Sequence, residues 1–121
     1  MTFDRDPLAG QGAYLVDQLA LQRELGREVT VVEIAAAVTI LPYTHQSAVL
    51  AWCWFGVEPA TLVELLRASR HDTVTALYKP GRNYRAAGRH FGRSHRTIAE
   101  TVARGTRNLL AILLARGRST S

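Results

Sequence analysis

Apolar residues recur along this chain at steps of three and four, the spacing of helices that each bury one face. Leu15, Val16 and Leu19 mark such a face on a helix from about Gln11 to Leu25, which Gly26 ends. Thr30 followed by Glu33 reads as a capping box, in which each side chain satisfies an amide that the first helical turn leaves unpaired. It opens a helix with Ile34, Val38 and Leu41 inward that stops before Pro42. A third helix starts at Thr44 or His45 and carries Val49, Trp52 and Phe55 inward until Gly56 breaks it. Pro59 suits the first turn of a fourth, where Leu62, Leu65, Leu66 and Ser69 share a face, with Glu58 near its start and Arg67 and Arg70 near its end matching the helix dipole. His71 or Asp72 opens a short helix through Tyr78, and Lys79, Pro80 and Gly81 make a turn. A helix from Arg82 to about His90, a tight turn over Phe91–Ser94 and a long helix from His95 to about Arg116 complete the chain. Only Val29–Val32 has strand propensity, and the alanines after it favour helix. The expected fold is all-α, a compact bundle of about five to seven helices ending in a helix-turn-helix with a long last helix.

Composition supports a folded core: 47% of the 121 residues are hydrophobic and 21% charged, which excludes wholesale disorder and fibrous chains and leaves room for one unit rather than two large domains. The longest apolar runs reach about ten residues against the roughly 20 of a membrane span, so no membrane association and a cytoplasmic location are expected. Cys53, the single cysteine, cannot form an internal disulfide and reads as a buried apolar residue. His45, His71, His90 and His95 include no pair at helical ligand spacing with a carboxylate between them, so neither metal nor cofactor is expected. No glycine-rich phosphate loop, nucleophile elbow or acid pair suggests an enzyme.

Charge is divided unevenly. Residues 1–78 hold five arginines against nine acids, a net −4, whereas from Lys79 to Arg118 nine arginines and one lysine face a single acid, Glu100, a net +9. This separates an acidic helical part (1–78), suited to packing or protein contact, from a basic part (79–121) suited to a polyanion, the two expected to share one core. The basic residues alternate with Tyr84, Ala87, Phe91, Ile98 and Val102 at helical spacing, as charges do when they project from an ordered surface. Such a surface is the footprint of nucleic-acid binding.

Two helices meeting at a steep angle need particular residues at fixed offsets, and Tyr84–Val102 supplies them. Gly88 is small where the helices approach, Gly92 permits the turn, Ser94 can cap the second helix, and Ile98 anchors it. At about 100° per residue, Ile98, Val102, Gly105, Leu109 and Ile112 fall on the core side, with Arg96, Glu100, Ala103, Arg104 and Arg107 opposite. Docked in a major groove, the helix would offer Arg93, Ser94, Arg96, Thr97 and Glu100 to base edges, Arg96 first among them because its planar fork matches guanine O6 and N7. Glu100 is either an acceptor for cytosine N4 or an ion-pair partner of Arg96 or Arg104. Lys79, Arg82, Arg85, Arg89, His95, Arg104 and Arg107 are the candidates for phosphate contacts.

The stretch Gly92-Arg93-Ser94-His95-Arg96-Thr97-Ile98 resembles the helix-turn-helix of sigma-factor region 4 and related phage activators, over about thirty residues of the chain. The resemblance implies a bacterial or phage transcription regulator that binds double-stranded DNA in a sequence-specific way. Phe91-Gly92-Arg93-Ser94-His95-Arg96-Thr97-Ile98 is also similar to a motif in the DNA-binding domain of the bacterial replication initiator, one residue shorter and with Ser94 for an aspartate; that function is not carried over.

Two further patterns bear on partners. Phe55-Gly56, Thr61-Leu62 and Glu64 recur as Phe91-Gly92, Thr97-Ile98 and Glu100, a hint of a second helical hairpin that has lost its arginines. Leu109, Ile112 and Leu113 lie on an apolar surface wider than one face needs, which is covered either by the N-terminal helices or by a second copy in a homodimer. The alternative functions are a factor docking on RNA polymerase or other host machinery through the acidic half, or a DNA-packaging adaptor. Exposed tryptophans at 52 and 54 would favour docking, and buried ones the regulator.

Overall fold

The helix at the centre of the molecule has no single buried face. In the computed structural model, which describes residues 18–79 and 83–120, regular structure among the described residues consists of seven helices and no strand. In chain order they are α1 (Gln18–Leu25), α2 (Val31–Thr39), α3 (Thr44–Phe55), α4 (Pro59–Arg67), α5 (His71–Leu77), α6 (Tyr84–Phe91) and α7 (His95–Thr120). The all-α expectation therefore holds. The start of the predicted first helix and Arg82 lie outside the described residues.

Helix α3 is the central one: Ser47, Val49, Leu50, Ala51, Cys53, Trp54 and Phe55 are all buried, and α2, α4, α5, α6 and α7 pack around it. Its uncharged sequence makes this possible, because no ionised group has to reach water. Gly56, left-handed at φ 71°, ends it, and α4 leaves at a bend of 69°. Ser47 Oγ lies inside the core and donates to the Val38 carbonyl at 2.7 Å, tying the start of α3 to the end of α2.

Helix α7 is 26 residues long, about 39 Å at 1.5 Å per residue. Its middle crosses α3 closely at Gly105, where a β-carbon would stand 2.9 Å from Leu50 Cδ1, and Asn108 Nδ2 donates to Gln46 Oε1 at 2.8 Å beside that crossing. Arg27 fastens its far end. From the α1–α2 connection the guanidinium donates to the Leu113 carbonyl at 3.1 Å, to the Glu33 carboxylate at 3.2 Å and to the Glu28 carbonyl at 2.9 Å. Glu33 also completes the capping box with Thr30, as expected: its amide donates to Thr30 Oγ1 at 3.0 Å and its carboxylate accepts from the Thr30 amide at 3.1 Å.

One core joins the acidic and basic parts, running from Val29, Ile34 and Val38 through Val49, Leu50 and Phe55 to Ala87, Ile98, Val102, Leu109 and Leu113. Of the candidate seam residues, Leu109 and Leu113 are fully buried within the chain and Ile112 is half-buried, while Leu114 beside them is 36% exposed.

Four details differ from the sequence reading. Trp54 is fully buried while Trp52 is half-buried, because α3 is enclosed on several sides and the Val49–Trp52–Phe55 face is not its only inner one. Ala103 is 5% exposed rather than outward, since neighbours wrap α7 over more than half a turn. Ser69 lies beyond α4, exposed and left-handed at φ 56°, instead of continuing its apolar face. Helix α6 starts at Tyr84, two residues later than expected, because Asn83 caps it. Among the described residues no single helix is long and apolar enough to cross a membrane.

Candidate nucleic-acid interface

Asn83 sets the start of the basic pair of helices: its Oδ1 accepts from the amides of Arg85 at 2.8 Å and Ala86 at 3.3 Å. The sequence contained this signal, an amide side chain just ahead of a helical run. With the start fixed, Ala87 and Gly88 are buried, Tyr84 and Phe91 half-buried, and Arg85 and Arg89 exposed. Desolvation lifts the Tyr84 phenol from 10.0 to about 12, and the adjacent Cys53 adds a smaller push. Its hydroxyl and Trp54 Nε1 are buried without hydrogen-bond partners.

The turn that follows depends on two glycines. Gly92 adopts φ 69°, which other residues reach only at a steric cost, and the amides of Gly92 and Arg93 both donate to the Gly88 carbonyl, the latter at 2.8 Å. A β-carbon on Gly88 would collide with the Arg93 carbonyl oxygen. Ser94 then opens α7 as expected, its Oγ accepting from the Thr97 amide at 3.1 Å and lying 2.9 Å from Thr97 Oγ1. Of the proposed base-edge residues, Ser94 and Thr97 are thus partly engaged with one another, whereas Arg93, Arg96 and Glu100 project into solvent.

Between α6 and the first turn of α7 lies an open hollow of about 370 Å³ lined by Arg85, Gly88, Arg89, Gly92, Arg93, Ser94 and His95. Three arginines and the amino end of a helix therefore border one concavity without an acid among its lining residues. Along the exposed side of α7, Arg96, Glu100 and Arg104 follow at one-turn intervals, with Arg107 half-buried beyond them. Lys79 is exposed, and its amide donates to the Trp54 carbonyl at 2.8 Å, which fixes where the chain leaves the acidic half. The predicted ion pair of Glu100 with Arg96 or Arg104 is not formed: among the described residues the ion pair is Arg27–Glu33. Both arginines are exposed, and the pull of a surface ion pair is too weak to hold two solvated side chains together.

An aromatic contact fixes α6 against the acidic half, and sequence reasoning missed it. His90 stacks on Trp52 with centroids 4.1 Å apart and planes 3° from parallel, and Phe91 meets His45 edge-on at 6.0 Å. No local pattern signals a pairing between helices so distant in the chain. Among the described residues no group of three or more histidine, cysteine or acidic side chains is placed to hold a metal ion. No protein-family model matches the chain, and neither a curated protein nor a solved structure shows significant similarity to it.

Proposed function

We propose that this protein binds double-stranded DNA through the α6–turn–α7 pair in a sequence-dependent way, as a transcription regulator of bacterial or phage type. The observation that carries the reading is the acid-free hollow bordered by Arg85, Arg89, Arg93 and His95 at the start of α7. It suits a backbone phosphate: the guanidiniums supply charge-assisted donors and the helix end a favourable dipole. A phosphate held there would set the register of the duplex, with the exposed Arg96 on the groove side free to pair with guanine.

The burial of Trp54 and the cover of His90 over Trp52 speak for the regulator against docking through those tryptophans. Titration into labelled mixed-sequence duplex at two salt concentrations tests the reading. Binding should weaken roughly tenfold or more between ~50 and ~200 mM salt, and Arg85→Ala should flatten that dependence. Absence of binding at low salt, or indifference to Arg85→Ala and Arg96→Ala together, would remove the DNA assignment.

A further inference from the structure

Glu100 is the one acid between Lys79 and Arg118, and it stands exposed in the middle of the basic face of α7. Two arginines lie one helical turn away on either side, Arg96 and Arg104, yet the carboxylate pairs with neither, and no other hydrogen bond engages it among the described residues. It therefore plays no visible part in holding the fold. On a surface facing DNA it is also the one group that phosphates repel, since an ionised carboxylate only accepts hydrogen bonds and phosphate oxygens donate none. Its complement in the major groove is an amino group, and cytosine N4 presents one.

Resting on the DNA-binding reading above, we infer that Glu100 is a specificity-determining residue: it selects cytosine and penalises duplexes that lack it at that place. Four residues of α7 advance about 6 Å along the helix, close to two base-pair steps of 3.4 Å. With α7 along the groove, the guanine read by Arg96 and the cytosine read by Glu100 lie about two steps apart, so the preferred site contains two G·C pairs at that separation. On other sequences the carboxylate is desolvated beside phosphates without a partner, which lowers non-specific affinity.

The test is selection from a randomised duplex pool by the wild-type protein, Glu100→Gln and Glu100→Ala, followed by titration of selected and unselected duplexes. Circular dichroism would establish that both variants fold. Wild type should enrich two G·C pairs about two steps apart. Glu100→Gln should keep the guanine position, lose the cytosine preference by roughly 5- to 150-fold, the span of a single mismatched pair, and move it toward adenine, which the amide can contact twice. Both variants should bind unselected duplex more tightly than wild type. If the substitutions change affinity for every duplex by one common factor and leave the enriched bases unmoved, Glu100 is a surface charge and the inference is overturned while DNA binding stands. Failure of the wild type to bind any duplex would overturn both.

Discussion

The carbonyl oxygen of Arg93 occupies the space where a β-carbon on Gly88 would stand, and the Arg93 amide donates to the Gly88 carbonyl at 2.8 Å. Residue 88 is thus closed on by backbone, which cannot rotate out of the way. Gly88→Ala should cost about 2–3 kcal/mol in urea unfolding and disturb the arginine hollow, although alanine is the better helix former. Gly105→Ala makes the useful contrast. Its β-carbon would press on Leu50 Cδ1, the tip of a side chain, so the strain and the helix-propensity gain of about 1 kcal/mol should nearly cancel.

Ser69 ends α4 in the left-handed region at φ 56°, with the Arg70 amide donating to the Leu65 carbonyl at 2.9 Å. This is the helix ending that glycine adopts without cost. Ser69→Gly should raise stability by about 1 kcal/mol, read as a higher urea midpoint with an unchanged slope.

Tyr84 makes stability depend on alkaline pH. Its phenol ionises near 10.0 in the unfolded chain and near 12 in the folded one, so the folded state holds the proton more tightly. Stability is therefore independent of this group's ionisation below pH 10 and falls as the pH climbs from 10 toward 12, where ionisation is resisted in the folded state alone. Tyr84→Phe should remove this part of the alkaline decline, on the order of 1 kcal/mol once solvent access to the ring is discounted, when the unfolding free energies of the two proteins are compared across that window. At neutral pH the same substitution should be neutral or slightly stabilising, because the hydroxyl it deletes has no partner.

Local signals carried most of what could be read from the sequence. The Thr30–Glu33 capping box, the glycine stops at 56 and 92, the Ser94 cap and the core side of α7 at Ile98, Val102 and Leu109 each depend on residues within a turn or two of one another. What was missed depends on the third dimension. Trp52 and Trp54 exchange importance because helices surround α3, and Ala103 turns inward for the same reason on α7. In both cases a single-face wheel is the wrong geometry. The stack of His90 on Trp52 and the clasp of Arg27 on Leu113 join residues with no sequence relationship. The arginine hollow was legible as a set of residues but not as a concavity, since that depends on how tightly Gly88 lets the turn close.

Helix α7 runs unbroken from the basic turn at His95 to the stretch that Arg27 clasps at Leu113. A single rod thus joins the buried spine of the bundle to the exposed basic turn, without a joint by which one could yield independently of the other. Damage deep in the bundle, such as truncation of Leu109, should therefore reach the exposed arginines as a tilt of the whole rod. If the basic face of α7 binds DNA as proposed, variants selected for altered binding would then be found far from that face.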